Sequence, residues 1–171
     1  WIQRHLDPGL SYRYACRVGM CGTCAMTVNG KPRWTCRTLL GTVAREGALR
    51  IAPLAHLPVI KDLACDMTEF FEKWRRAEGR FVPSAEGRNR GVNSPEPEFA
   101  VVPPEALARQ AADAGIECIG CGVCYAACDV VAWNPDYLGP AALNRAWTLA
   151  NDVRDGGQAR RFLSAVGDWK R

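Results

Sequence analysis

Nine cysteines are the residues whose type and spacing could support chemistry in this chain of 171 residues. Eight of them form two tight groups. The first group is Cys16, Cys21, Cys24 and Cys36, and the second group is Cys118, Cys121, Cys124 and Cys128. Cysteines only a few residues apart make poor disulfide partners but good thiolate ligands to one centre. The spacing therefore predicts metal or cluster binding in a reducing compartment, not the disulfide framework of a short secreted domain.

The first group has the spacing C-x4-C-x2-C, and its last cysteine follows after eleven further residues. This spacing is typical of plant-type [2Fe–2S] sites. Gly19 and Gly22 lie between these cysteines, and glycine allows the left-handed backbone that turns N–H groups toward cluster sulfurs. The alternative is a zinc site with four cysteine ligands, but zinc usually takes two C-x2–4-C pairs and only one fits well here. We therefore predict a [2Fe–2S] cluster on the first group, with both glycines shaping its loop.

The second group has the spacing C-x2-C-x2-C-x3-C, which bacterial ferredoxins use for a cubane cluster. In that pattern the first three cysteines share one cluster, and the fourth lies about one turn further on and ligates another. Both centres then need further ligands, and Cys65 is the one cysteine outside the two groups. Cys65 precedes an apolar helical pattern, so we interpret it as a small buried hydrophobic residue at the start of a helix.

The elements that carry the first group are predicted to be mainly strands. Residues 1–6 read as the end of a helix and residues 11–15 as a strand, since they alternate and are rich in tyrosine. Strands at 25–28 and 33–35 flank an Asn-Gly pair, which is typical of a tight hairpin turn. Another short strand is predicted at 48–54. From residue 62 the apolar residues recur at helical spacing, which predicts an amphipathic helix to about residue 77.

The elements that carry the second group are predicted to be helices. Residues 105–114 form a short helical pattern, and Gly139-Pro140 opens another helix. Between the two halves, residues 79–103 are rich in Gly, Pro and charge, which indicates a linker. We therefore predict a domain at 1–78, a linker at 79–103 and a helical domain at 104–171.

The charge, the apolar runs and the motifs of the sequence narrow the classes of function that this chain could have. The formal net charge of +4 is modest and the basic residues are scattered, which argues against a nucleic-acid-binding protein. The longest apolar runs are far shorter than a membrane span. No nucleophile–base pattern or phosphate-binding loop is present in the sequence. His5 and His56 are isolated, so we expect ordinary surface or core positions for both.

Several motifs, in order along the chain, resemble those of the iron–sulfur subunits of succinate dehydrogenase and fumarate reductase. They are CRVGMCGTCAMTVNGKPRWTC, LPVIKDLACDM, CIGCGVCYAAC, WNPDYLGPAAL and NDVRD. The resemblance implies an α+β fold, with a partial β-grasp [2Fe–2S] ferredoxin-like domain followed by an all-helical ferredoxin-like domain. It also implies a fragment of a longer protein, whose first hairpin and last three cluster cysteines lie outside these residues.

The resemblance further implies how the cysteines are used. The first group matches the [2Fe–2S] ligands. Cys118, Cys121 and Cys124 match three ligands of a [4Fe–4S] cluster, and Cys128 matches one ligand of a [3Fe–4S] cluster. Trp133 resembles a family tryptophan near the quinone. The family often has Pro and Ser after the cysteine matching Cys128, whereas this chain has Asp129 and Val130.

The implied function is electron transfer within an enzyme complex, without chemistry on the substrate by this chain itself. The implied partners are an FAD-containing flavoprotein subunit, membrane anchor subunits and a quinone. The implied location is peripheral, on the cytoplasmic face of a bacterial inner membrane or the matrix side of a mitochondrial one.

Two alternatives stay open. An iron–sulfur subunit of another quinone-linked dehydrogenase, or of a heterodisulfide-type reductase, would share both cysteine patterns. A zinc-stabilised interaction module is a non-redox alternative. Trp34, Trp133 and Trp147 are expected to pack in the core, with partner docking as the alternative.

Overall fold

The computed structural model describes residues 1–44, 47–84 and 102–169. It forms two compact units, each built from two separate stretches of chain. The first unit comprises residues 1–70 and 119–134, and the second comprises residues 71–118 and 135–171. Most of the predicted linker, residues 85–101, lies outside the described residues. The predicted domain limits at 78 and 104 therefore stay a prediction.

The first unit holds a small antiparallel sheet. After helix α1 (Ile2–His5), strands β1 (Ala25–Val28), β2 (Lys31–Trp34) and β3 (Ile51–Ala52) form a sheet in the order β2-β1-β3. Asn29 and Gly30 have φ values of 48° and 77°, as the tight turn between β1 and β2 requires. The Asn29 amide also holds neighbouring loops, since Nδ2 donates to the Val43 carbonyl at 2.6 Å and Oδ1 accepts from the Arg50 N–H at 2.9 Å.

The predicted hairpin strands are confirmed, but the predicted strand at 11–15 is wrong. Its backbone is irregular because it has no strand partner in the part of the chain that the structure describes. Ser11 is instead held at a single point, where its N–H donates to the Asp62 carboxylate and its carbonyl accepts from the Leu63 N–H. The predicted strand at 48–54 shortens to β3.

The rest of this stretch contains a 3-10 helix (Thr35–Arg37), α2 (Leu40–Val43), and the paired strands β4 (Val59–Lys61) and β5 (Ala64–Cys65). Helix α3 (Thr68–Arg76) starts later than predicted. The Asp66 carboxylate accepts from the Thr68 N–H at 2.9 Å and from its hydroxyl at 2.6 Å, as a helix-capping side chain does. Cys65 therefore lies in a strand, not at a helix start. Its predicted burial is confirmed.

The second stretch of the first unit adds two short helices, α5 (Val123–Ala126) and α6 (Asp129–Trp133). Tyr125 of α5 packs edge-on against Phe70, with ring centroids 5.5 Å apart, and both side chains are fully buried. Aromatic pairs of this geometry are worth about 0.5–1.5 kcal/mol beyond the area they bury. This contact joins the two stretches of the unit across some fifty-five residues of chain.

In the second unit, α7 (Pro140–Ala150) packs against both α4 (Leu107–Ile116) and α8 (Gln158–Trp169). On another side of α7, a core cluster packs the chain at the end of α3 against it; its members are Ala77, Leu138, Ala142 and Ala146, with Trp74 and Leu143 partly buried against them. The predicted helices at 105–114 and from residue 140 are confirmed. Helix α8 escaped prediction because its buried face is marked by Arg161, whereas Phe162 and Leu163 are exposed.

A buried ion pair anchors the chain that follows α3. Arg161 is 1% exposed and donates to both oxygens of Asp155, to the Glu78 carbonyl at 2.8 Å and to the Arg80 carbonyl. The Asp155 carboxylate also accepts from the backbone N–H groups of Val82 and Gly157, at 2.9 and 2.6 Å. Burial alone would raise the pKa of Asp155, but the Arg161 guanidinium and the two N–H groups outweigh it and hold the pKa below its usual value.

Among the helices that the structure describes, none is long and apolar enough to cross a bilayer.

Candidate metal centre

The loop that carries the first group curls its backbone around the Cys16 sulfur. The N–H groups of Val18, Met20 and Cys21 all point at Cys16 Sγ, at 3.4, 3.3 and 3.4 Å. The loop achieves this through the left-handed backbone of Gly19, with φ of 78°. Three convergent donors suit a sulfur that carries negative charge, which is the state of a thiolate bound to iron.

Cys21 is activated by a hydroxyl as well as by the backbone. Its Sγ lies 3.1 Å from Thr23 Oγ1. This hydrogen bond, with further ones from the backbone N–H groups of Cys16 and Thr23, lowers the pKa of the Cys21 thiol to about 6. The thiolate is the form that binds metal, so Cys21 is prepared for ligation.

Cys24 and Cys36 form a second pair of sulfurs. Burial alone would raise the pKa of Cys24, but hydrogen bonds from the N–H and thiol of Cys36, and from Thr35, outweigh it and lower the pKa. The pKa of Cys36 is raised, chiefly because its thiol donates to Cys24. The negative charge of a Cys16 thiolate also raises the pKa of Cys36, because it disfavours a second negative charge nearby.

The first group is thus two pairs of neighbouring sulfurs, Cys16 with Cys21 and Cys24 with Cys36. A [2Fe–2S] cluster needs four cysteine thiolates around two irons, and two adjacent pairs suit this demand. Within residues 1–44, 47–84 and 102–169, no three His, Cys, Asp or Glu side chains gather around one point as a single metal ion needs.

Each of the two predicted glycines also allows a close approach. A Cβ on Gly19 would stand 2.9 Å from Cγ of Arg37, whose side chain crosses the loop there. A Cβ on Gly22, whose φ is 72°, would stand 2.6 Å from Cβ of Cys121 and 2.9 Å from its Cα. Gly22 therefore brings the backbone of the first cysteine loop against a member of the second group.

The second group is divided between the two units. Cys121, Cys124 and Cys128 belong to the first unit, and Cys118 belongs to the second. Cys124 lies in α5, which starts after the left-handed Gly122, with φ of 78°. Cys128 lies outside that helix, at the position that precedes α6. The fourth cysteine thus lies after the end of the helix that carries the third, and the interruption between α5 and α6 allows its side chain to take a different direction.

Comparisons of the sequence and the fold with those of known proteins indicate the family of this chain. Residues 1–72 match the 2Fe-2S iron-sulfur cluster binding domain family. The fumarate reductase iron-sulfur subunit of Haemophilus influenzae is 36% identical over 166 residues, which are 95% of this chain and 63% of that protein. The mitochondrial succinate dehydrogenase [ubiquinone] iron-sulfur subunit 1 of Oryza sativa is 35% identical over 170 residues, 99% of this chain and 57% of that protein.

The chain belongs to the iron–sulfur subunit family of succinate dehydrogenase and fumarate reductase. It spans less than two thirds of the length of either of these relatives. A chain from the Mycobacterium smegmatis Sdh1 complex in the apo form has the same fold, with a TM-score of 0.78 and 24% identity, covering 97% of this chain and 68% of that one. The fold class is accordingly a mixed helix and sheet fold with a [2Fe–2S] ferredoxin-like domain.

The structure corrects the expectation for the three tryptophans. Trp34, Trp133 and Trp147 are all exposed, Trp133 to 78%, so core packing is wrong for each. Trp147 keeps one polar anchor, since its Nε1 donates to the Ala111 carbonyl at 2.8 Å. His5 and His56 are exposed, in keeping with an ordinary surface position.

Two features of this family member's site were missed in the sequence. One is the Thr23 hydroxyl, which was visible as the polar residue inside the C-x2-C pair. The other is the approach of Gly22 to Cys121, which left no signal because the two residues are about a hundred positions apart.

Proposed function

We propose that this chain is the electron-transfer part of a succinate dehydrogenase or fumarate reductase complex, which passes electrons between a flavoprotein and a membrane quinone. The observation that carries the proposal is the pairing of the four sulfurs of the first group, together with three backbone N–H donors that converge on one of them, Cys16 Sγ. Such a site holds a charged cluster but offers no nucleophile–base arrangement for chemistry on substrate carbon.

The proposed ligands of the [2Fe–2S] cluster are Cys16, Cys21, Cys24 and Cys36. When bound, the cluster supplies one-electron redox chemistry. The N–H groups of Val18 and Met20 and the Thr23 hydroxyl stabilise negative charge on the ligand sulfurs. Gly19 and Gly22 allow the loop to take the required conformation.

The second group is proposed to serve two further clusters. Cys118, Cys121 and Cys124 provide three ligands to a [4Fe–4S] cluster, and Cys128 provides one to a [3Fe–4S] cluster. The separate position of Cys128, after α5 has ended, supports this division. Cys65 is excluded from the ligands because it is buried in a strand, with its thiol directed at the Leu54 carbonyl.

The proposed partners are an FAD-containing flavoprotein subunit, a membrane anchor and a quinone, with the complex peripheral on the cytoplasmic or matrix side of the membrane. The exposed indole of Trp133, at the end of α6, is available for the quinone end of the path. Asp129 and Val130 begin the same helix and are both exposed, so this end differs in polarity from the usual Pro-Ser of the family.

The test is purification of the full-length protein with its native partners under anaerobic conditions. We expect copurification with a flavoprotein that oxidises succinate, together with iron, acid-labile sulfide and visible charge-transfer absorption. Cys36→Ala is expected to remove the [2Fe–2S] electron paramagnetic resonance signal. Cys65→Ala, a matched change of a buried cysteine outside both groups, is expected to keep it.

Two other results would redirect the proposal. Copurification with a dehydrogenase that does not act on succinate would favour an iron–sulfur subunit of another quinone-linked dehydrogenase or of a heterodisulfide-type reductase. Bound zinc without acid-labile sulfide or visible absorption would favour a zinc-stabilised interaction module and would end both redox proposals.

A further inference from the structure

The C-terminal half of α4 is held by two side chains of α7. Trp147 Nε1 donates to the Ala111 carbonyl at 2.8 Å. Asn144 Nδ2 donates to the Gly115 carbonyl at 3.0 Å. Ala111 and Gly115 are four residues apart and share one face of α4, just as Asn144 and Trp147, three residues apart, share one face of α7. The two hydrogen bonds therefore join one face of each helix at successive turns.

Gly115 lets the two helices approach closely at this point. A Cβ on Gly115 would stand 2.6 Å from Thr148 Oγ1 and 2.9 Å from Asn144 Oδ1. The Thr148 side chain is 6% exposed, and its hydroxyl donates to the Asn144 carbonyl at 2.8 Å. The Asn144 amide thus lies against the backbone of α4 within a packed contact, where a lost hydrogen bond is not simply replaced by water.

The Gly115 carbonyl connects this contact to Cys118. Gly115 lies in the last turn of α4, where carbonyl groups have no N–H partner from the helix itself. Its carbonyl accepts from the Cys118 N–H at 3.2 Å as well as from the Asn144 amide. One carbonyl oxygen therefore joins a side chain of α7 to the backbone of Cys118.

The residues that follow Cys118 have the backbone of a loop that can surround a sulfur cluster. Gly120 and Gly122 have φ values of 65° and 78°, like Gly19 and Gly22 in the first cysteine loop. Glycine in this left-handed conformation allows N–H groups to turn toward ligand sulfurs. The backbone around the second group therefore fits the cluster that its cysteines are proposed to bind.

We propose that Asn144 is a positioning residue for Cys118. Its amide holds the Gly115 carbonyl, which in turn holds the Cys118 backbone where α4 ends, and this sets the place from which the thiolate reaches the [4Fe–4S] cluster. Ligands need such support because a metal site tolerates displacements of only about 0.5 Å. The inference rests on the proposed function, in which Cys118 is a ligand, and it adds a residue that no cysteine pattern indicates.

The test uses the full-length, cluster-loaded protein in its complex, with variants that remove the donor but keep the size of the side chain. Asn144→Asp places an acceptor where the donor was, and Asn144→Leu removes all hydrogen bonding there. Both are expected to speed hydrogen exchange at the Cys118 amide about 2- to 10-fold, as the loss of one ordinary hydrogen bond would. Both should also change the electron paramagnetic resonance spectrum of the [4Fe–4S] cluster, whereas the [2Fe–2S] signal, the internal reference, stays the same.

Two other variants provide the controls. Asn151→Asp changes the same type of residue, but Asn151 Nδ2 donates to the Trp147 carbonyl, in the helix that precedes it, at 2.9 Å, so neither readout should change. Trp147→Phe removes a hydrogen bond between α7 and α4 at the Ala111 carbonyl, one turn before the carbonyl that holds Cys118. It should speed exchange within α4 but leave the [4Fe–4S] spectrum unchanged.

The positioning role is overturned if either readout stays unchanged in both Asn144 variants. A spectral change of the same size in Trp147→Phe also overturns it, because loosening α4 anywhere would then have the same effect. These outcomes leave the proposed function intact. Cys118→Ala tests that function separately: a full [4Fe–4S] signal in this variant would show that Cys118 is not a ligand, and would overturn both the ligand assignment and this inference.

Discussion

Replacing Gly22 with alanine tests the closest approach between the two cysteine groups. The added methyl group would stand 2.6 Å from Cβ of Cys121, a distance that non-bonded carbon atoms do not adopt. The obstacle includes the Cys121 backbone, at 2.9 Å from the new Cβ, so no flexible side-chain end can move away to relieve it. Gly22 also has a φ of 72°, which disfavours any residue with a Cβ.

Two other glycines provide the scale for this effect. Gly30 has nearly the same backbone, with φ of 77°, but a Cβ there meets nothing within 4 Å. Gly30→Ala therefore pays only the left-handed strain, roughly 1–2 kcal/mol. Gly22→Ala adds overpacking, typically about 1–3 kcal/mol. Gly19→Ala should fall between them, because its new methyl meets only the flexible side chain of Arg37.

The assay is hydrogen exchange of the full-length protein, since loss of bound clusters makes global unfolding irreversible. The informative amides are those of Ala25 and Ala126, which donate to the carbonyls of Gly22 and Gly122 at 3.2 and 2.9 Å. A difference of about 1–3 kcal/mol between Gly22→Ala and Gly30→Ala corresponds to roughly 5- to 150-fold faster exchange at these amides. Equal protection in the two variants would refute the idea that the Gly22–Cys121 contact holds the first unit together.

Three further outcomes are expected. Thr23→Val should lower the reduction potential of the [2Fe–2S] cluster, because the reduced cluster loses a hydrogen-bond donor at Cys21; a redox titration followed by electron paramagnetic resonance measures this, and Thr23→Ser should restore the native value. Arg161→Met should destabilise the second unit by about 3–5 kcal/mol, because it leaves the buried charge of Asp155 without its partner. The double variant Arg161→Met/Asp155→Leu should recover most of this loss, and hydrogen exchange at the amides of α7 measures both changes. The pKa of Asp155 lies below its usual value in the folded protein, so its stabilising contribution is present at neutral pH and is lost only as the pH falls through that lowered pKa. Hydrogen exchange at the Val82 amide, which donates to Asp155, should therefore lose protection in this acidic range. Asp155→Asn should remove this pH dependence of protection.

Local patterns in the sequence predicted the parts of the fold that depend on neighbours in the chain. The Asn29-Gly30 turn and its two strands form because a two-residue loop with left-handed backbone needs only its own residues. The proximity of Cys16 and Cys21 was predictable because both lie in one short loop.

Features that depend on residues far away in the chain could not be predicted from local sequence patterns. Residues 11–15 have the composition of a strand, yet they stay irregular because strand formation requires a partner that composition does not reveal. The burial of Arg161 depends on carbonyl groups some eighty residues earlier in the chain. The exposed tryptophans show that a large aromatic side chain does not by itself identify a core position.

The first unit is built from two stretches of chain that are far apart in sequence, and this has a consequence for how the protein is made. Gly22 and Cys121 must meet, but ribosomes add roughly 5–20 residues per second, so about 5–20 s separate their synthesis. During that interval the thiols of the first group are already made, while the stretch 119–134 that completes their unit does not yet exist. Nascent chains are therefore exposed to thiol oxidation and to capture of the wrong metal. Delivery of iron and sulfide is best timed to follow translation of residue 134, when the loop has its packing partner.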